Sequence, residues 1–181
     1  ALVNICSQHE HQNLLDAGRT GEGRAMLLAL SREARDPGIR GAALYHLAEN
    51  APSLGERVRY LQELLRLFPG SSYESAARQL LAAALADLGR RQEALAVLQP
   101  GLAGGREGSL RFLHARLLIK EGRYAQALES LRHLAALGDR FDDQSGVAYC
   151  RGYALFHLQQ LPAARQAFED FLGHFQGSSW E

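Results

Sequence analysis

Few side chains in this 181-residue chain have types and spacings suited to chemistry. Cys6, His9, Glu10 and His11 are metal-ligand types, and Cys6 and His9 share a helix face at i, i+3. On a helix, however, His9 and His11 point about 200° apart, and no fourth ligand follows, so the group reads as a polar helix face. Gly101-Leu102-Ala103-Gly104-Gly105-Arg106-Glu107-Gly108 has the glycines of a phosphate loop. It follows a helical pattern rather than a strand and lacks the Gly-Lys-Ser/Thr element, so it reads as an inter-helix turn. Asp139, Asp142 and Asp143 form an acidic loop, read as a solvated insertion, with a cation or partner contact as the alternative. There is no Ser-His-Asp or Cys-His arrangement at an interpretable spacing, and no nucleophile elbow. Neither enzymatic activity nor a cofactor is expected. The most distinctive set is Tyr149, Tyr153, Phe156 and His157, three aromatics and a histidine at i, i+4, i+7, i+8, which form one stripe on a helix.

The elements that would position this stripe repeat about every 34 residues. Gly89, Gly122 and Gln159 occupy one column; Ala82, Ala115 and Gly152 a second; Ala94, Ala127 and Ala164 a third; Leu98, Leu131 and Phe168 a fourth. Each column steps by 33 and then 37, so whole units repeat. Such a period marks stacked supersecondary units, each needing its neighbours to bury its apolar face. Within one unit, Leu110, Leu113, Leu117 and Leu118 keep helical spacing. Gly122 then breaks the pattern, and Tyr124, Ala127, Leu128, Leu131 and Leu134 resume it. Two amphipathic helices joined by a short turn predict an antiparallel hairpin. Ala and Leu dominate, Val and Ile are scarce, and no alternating strand pattern occurs.

These columns resemble the tetratricopeptide-repeat family. Ala94-x3-Leu98, Ala127-x3-Leu131 and Ala164-x3-Phe168 match its second-helix spacing, and Ala82, Ala115 and Gly152 match its small residue at the helix crossing. The family's tryptophan position is here Arg78, Arg111 and Ala148, and its proline is mostly absent. The resemblance implies an all-α, right-handed superhelical solenoid of about five antiparallel helix pairs forming a single domain. Its units would be a degenerate pair at 1–37, resting on Gly18, and a divergent repeat at 38–70, where Gly55 aligns with Gly89 and Pro52 shortens the first helix. Clearer repeats would span 71–107, 108–141 and 142–178. The first helix of each pair would line a concave groove. Its lining would be Gln79, Ala83 and Asp87; then Phe112, Arg116, Ile119 and Lys120; then Tyr149, Tyr153, Phe156 and His157. The expected role is a protein-interaction scaffold holding a partner segment on this aromatic lining, with Arg116 and Lys120 pairing acidic side chains. The alternatives are that the stripe packs on a further repeat, or that the chain is a regulatory or substrate-presenting arm of a larger enzyme or sensor. A Lys/Asn carboxylate clamp is not expected, because Lys120 is the sole lysine and asparagine occurs only at Asn4, Asn13 and Asn50.

Location and partners follow from less. Phe68-Pro69-Gly70-Ser71-Ser72-Tyr73-Glu74 is echoed by Phe175-Gln176-Gly177-Ser178-Ser179-Trp180-Glu181. This joint resembles those of bacterial envelope repeat proteins, such as the lipoprotein of the outer-membrane β-barrel assembly machine and the periplasmic partner of the Tol-Pal system. It implies a periplasmic or outer-membrane-associated home in envelope assembly, secretion or export, with the cytoplasm as the alternative. Twenty basic and 20 acidic residues give zero formal charge, which argues against nucleic acid or an anionic membrane as main partner. No apolar run reaches the roughly 18 residues of a membrane span. Cys6 and Cys150 fall in the first and last pairs, too far apart for a disulfide, and read as buried free thiols. The near-absence of lysine reads as the composition of a GC-rich genome. The helical pattern runs to both ends without a polar cap, so the chain is expected to be a piece of a longer array or a trimmed mature form, with end-to-end packing on further repeats.

Overall fold

The computed structural model describes residues 20–102, 108–135 and 143–174. Outside them lie the Cys6–His11 group, Gly18, Asp139, Asp142, the middle of the glycine-rich stretch and the second joint, Phe175–Glu181. Among the described residues there are nine α-helices and no strand. These are α1 (Thr20–Glu33), α2 (Pro37–Glu49), α3 (Leu54–Leu67), α4 (Glu74–Asp87), α5 (Arg91–Leu102), α6 (Gly108–Lys120), α7 (Tyr124–Ala135), α8 (Gln144–His157) and α9 (Leu161–His174). The ends of the glycine-rich stretch belong to α5 and α6, so it joins two helices. The helices gather into two compact units that divide between Leu88 and Gly89, within the stretch expected as the third repeat.

In the first unit α1 packs on α2, α2 on α3 and α3 on α4. Short polar signals set its boundaries. Asp36 caps α2 by accepting from the Gly38 N–H at 2.7 Å, and Pro37 opens the helix where a missing N–H costs nothing. Ser53 caps α3 by accepting from the Glu56 N–H at 3.2 Å. Gly55 therefore sits inside the first turn of α3 and not at the turn position of Gly89, contrary to the sequence alignment. Here the turn is Asn50-Ala51-Pro52-Ser53, capped by a hydroxyl in place of a left-handed glycine. In the first joint, Gly70 takes φ +78° and its N–H donates to Glu74 Oε2 at 2.6 Å. Glu74 also accepts from Arg78 at 2.7 Å. The Arg78 guanidinium, with the Gly70 N–H, holds its carboxyl below the usual range.

The second unit stacks α5 on α6, α6 on α7, α7 on α8 and α8 on α9, with a further contact between α6 and α8. Its core includes Phe112, Ala115, Leu131, Leu134, Val147 and Cys150. The turn column has one shared geometry. Gly89, Gly122 and Gln159 all have positive φ, at +76°, +71° and +59°. At the second turn the Gly122 N–H donates to Ile119 O at 3.0 Å and the Arg123 N–H to Leu118 O at 2.8 Å, a Schellman stop. At the third, the Gln159 N–H donates to Phe156 O and the Gln160 N–H to Leu155 O, both at 3.0 Å. Gln159 thus holds a left-handed conformation that costs a side chain roughly 1–2 kcal/mol. Glycine recovers that strain but loses more entropy on folding, so Gln159→Gly is expected to stabilise by about 0.5–1 kcal/mol. A urea midpoint that falls or stays put would contradict this.

The small-residue column marks the helix crossings. A Cβ built on Gly152 would stand 2.7 Å from a ring carbon of Phe168. Ala82 and Ala115, at the equivalent positions, are fully buried. Their units carry Leu98 and Leu131 in the column where this one has Phe168. The larger ring leaves no space for a methyl group, which accounts for glycine here.

Candidate partner-binding cleft

Three helices of the second unit and one turn between them form an open cleft of about 530 Å³. The end of α6 contributes Ile119 and Lys120, the turn gives Gly122, α7 opens with Tyr124, and α8 adds Tyr149, Cys150 and Tyr153. The Schellman stop sets this geometry by reversing the chain at Gly122, which brings Tyr124 back toward the ends of α6 and α8. Such a volume falls in the roughly 300–1,000 Å³ range of ligand pockets.

The aromatic rings form one connected group. Tyr124 stacks on His157 at 4.5 Å between centroids and an interplanar angle of 9°. Tyr153 lies 4.5 Å from His157 and 6.4 Å from Tyr149. Tyr149 in turn meets Phe168 and Phe171 of α9, both at 6.1 Å. The row is thus anchored at Tyr149 and opens to solvent at Tyr153, which is 36% exposed. Phe156 is more exposed, at 51%, and does not line the cleft.

Ile119, Lys120, Tyr149 and Tyr153 thus come together as lining. Arg116 is exposed one turn before Lys120, its guanidinium 5.8 Å from the Phe112 ring centroid. Phe112 itself corrects the sequence expectation: it is only 7% exposed, a core residue packed with Leu131 and Val147, and it is not available to a partner. Its helix face turns toward α7 and α8, and the guanidinium lies over its ring. Gln79, Ala83 and Asp87 lie on α4 in the other unit, the first two half-buried and Asp87 exposed. Sequence reasoning missed Tyr124, Gly122 and Cys150. An aromatic two residues after the turn glycine was the available signal for Tyr124.

The charges nearby are of both signs: Lys120 lines the cleft, and Arg116 and Asp143 both act on the Cys150 thiol. Among the described residues no carboxylate lines the cleft. Glu121 accepts from the Gln92 amide at 2.8 Å and lies 3.6 Å from Arg91, so it is held outside. Asp143 caps α8, accepting from the Gly146 N–H at 2.8 Å. The Cys150 thiol is pushed up to about 11, chiefly by burial, with Arg116 opposing and Asp143 adding, so it is protonated at neutral pH and a poor nucleophile. Among the described residues no group of three or more His, Cys, Asp or Glu side chains is placed to hold a metal ion.

A partly buried hydrogen-bonded bridge joins three helices of the same unit. His114, 7% exposed, accepts at Nε2 from the Gln99 amide at 3.0 Å and donates from Nδ1 to Ser130 Oγ at 3.0 Å, which ties α5, α6 and α7 together. Burial, and then Arg111 and Arg123, lower its pKa. The unfolded chain therefore binds this proton more readily than the folded one. Stability is retained above the unfolded value near 6.5 and falls as pH drops through that value toward the lower folded one, by at most ~1.4 kcal/mol per pH unit. His114→Gln is expected to flatten the acid loss of stability between neutral pH and about pH 5. Equal losses in the two chains would contradict the assignment.

No sequence family and no curated protein matches the chain. Solved structures do. MamA from Desulfovibrio magneticus RS-1 superposes with a TM-score of 0.71 at 19% identity, over 97% of each chain. A tetratricopeptide repeat protein from Parabacteroides merdae gives 0.67 at 21% identity, over 80% of this chain and 56% of that one. YrrB, a tetratricopeptide-repeat protein with an unusual peptide-binding site, gives 0.71 at 15%, over 94% and 85%. At these identities the likeness is one of fold: the chain has the all-α tetratricopeptide-repeat fold. Among the described residues no helix is long and apolar enough to cross a membrane.

Proposed function

We propose that this chain is a non-enzymatic interaction scaffold whose α6–α8 cleft holds a segment of a partner protein. The observation that carries the reading is the cleft itself: three tyrosines and an isoleucine facing an open volume beside a lysine. Tyrosine provides large contact area with little side-chain entropy to lose, so such rings serve as anchors. YrrB, which shares the fold, has a peptide-binding site. The joint at residues 68–74 supports a narrower reading, that the partner belongs to bacterial envelope assembly, secretion or export. Separation of the native cells into periplasmic, membrane and cytoplasmic fractions tests that part.

Photo-crosslinking tests the main reading. A photoreactive phenylalanine analogue in place of Phe156, beside the cleft, is expected to capture a partner in the native cells. The same analogue at Arg132, whose side chain is 75% exposed on α7, is expected to capture none. Equal capture at both positions, or capture only at position 132, would remove the cleft from the function.

A further inference from the structure

The charge around the cleft points to the chemistry of what enters it. Lys120 lines the cleft and has no ion-pair partner among the described residues. Among the described residues no acidic side chain lines the cleft. The described carboxylates nearest in sequence to the lining residues have partners of their own: Glu121 has Gln92 and Arg91, Glu129 has Arg132, and Asp143 caps the start of α8. Arg116, exposed one helical turn before Lys120, adds a second positive group on that side. The rest of the lining includes Tyr124, Tyr149 and Tyr153. Phenol rings offer apolar faces and hydroxyl donors at once. A cation with hydroxyl donors selects a carboxylate, and the ring faces with Ile119 select an apolar side chain.

We propose that the cleft recognises an acidic amphipathic protein segment, one that sets an Asp or Glu beside an aromatic or branched apolar residue. The proposal rests on the scaffold reading above and specifies the partner chemistry of the same site. Basic segments are disfavoured, because their charge would meet that of Lys120.

The test pans a displayed library of random peptides on the folded wild-type chain and on three variants: Lys120→Glu, Lys120→Gln and Tyr153→Ala. The wild-type pool is expected to be enriched in Asp and Glu within two residues of Phe, Tyr, Trp or Leu. A synthetic peptide from that pool should bind Lys120→Glu at least about tenfold more weakly. Lys120→Gln should fall between, and Lys120→Glu should select basic–aromatic peptides instead. Lys120 is exposed, so circular dichroism is expected to show all the lysine variants folded. A pool lost on Tyr153→Ala but without acidic enrichment, or indifferent to Lys120→Glu, overturns the acidic-segment proposal and leaves the scaffold reading standing. A pool that binds Tyr153→Ala undiminished, or no enrichment on the wild type, overturns both.

Discussion

Ala127→Phe is expected to lower the unfolding free energy of the second unit by about 3 kcal/mol, the upper part of the usual range for overpacking. Ala127 is fully buried on α7, four residues before the equally enclosed Leu131. A benzyl group there has no space to occupy, and α6 and α7 would have to separate. Phenylalanine is also a weaker helix former than alanine, by a few tenths of a kcal/mol up to about 0.7. Ala125→Phe, on the exposed face of the same helix, is the control and should stay within about 0.5 kcal/mol of wild type. Urea unfolding followed by circular dichroism reads both. An unchanged midpoint for Ala127→Phe, or equal losses at the two sites, would mean that the register of α7 is wrong.

Tyr153→Ala is expected to weaken binding of a cleft-bound peptide at least about thirtyfold, which corresponds to ~2 kcal/mol. The ring stands in the row between Tyr149 and His157, and its removal opens the wall of the cleft to water. Arg116→Ala should cost less and chiefly reduce the salt dependence, since its charge lies at the solvated rim. Arg132→Ala, away from the cleft, should leave the affinity unchanged. Tyr153 is partly exposed, so the variant should keep its unfolding free energy within about 1 kcal/mol of wild type. Loss of the α8–α9 pair in that variant would instead place the ring in the core.

The hairpins were legible because their boundaries depend on residues that no other type replaces cheaply. A column of turn residues with positive φ and a column of small residues at helix crossings both leave marks in sequence, even where Gln159 replaces glycine or Gly152 replaces alanine. Gly55 misled because a capping serine can end a turn as well as a left-handed glycine does. The site was legible only in part. A stripe read from spacing gives a helix face but not how far that face is rotated toward its neighbour, and so Phe112 belongs to the core while Ile119 lines the cleft. Tyr124 escaped notice because it comes from the second helix of its pair and reaches the cleft only through the reversal at Gly122. The joint carries less information than its likeness to envelope proteins implies. Gly70 turns the chain, Glu74 receives its N–H, and Phe68 packs against Gly41, with ring carbons 3.8 Å from where a Cβ would stand. Those mechanics serve a helix joint in any compartment.

The second unit is proposed to bind its partner at the α6–α8 cleft. Titration of an acidic–aromatic peptide into the isotope-labelled chain, followed by amide and side-chain NMR shifts, tests it most directly. Saturable shifts are expected at Ile119, Lys120, Gly122, Tyr124, Tyr149 and Tyr153, with little change at Arg132 and Arg165. Saturable shifts centred on Arg132 or Arg165, with the cleft residues unmoved, would contradict it.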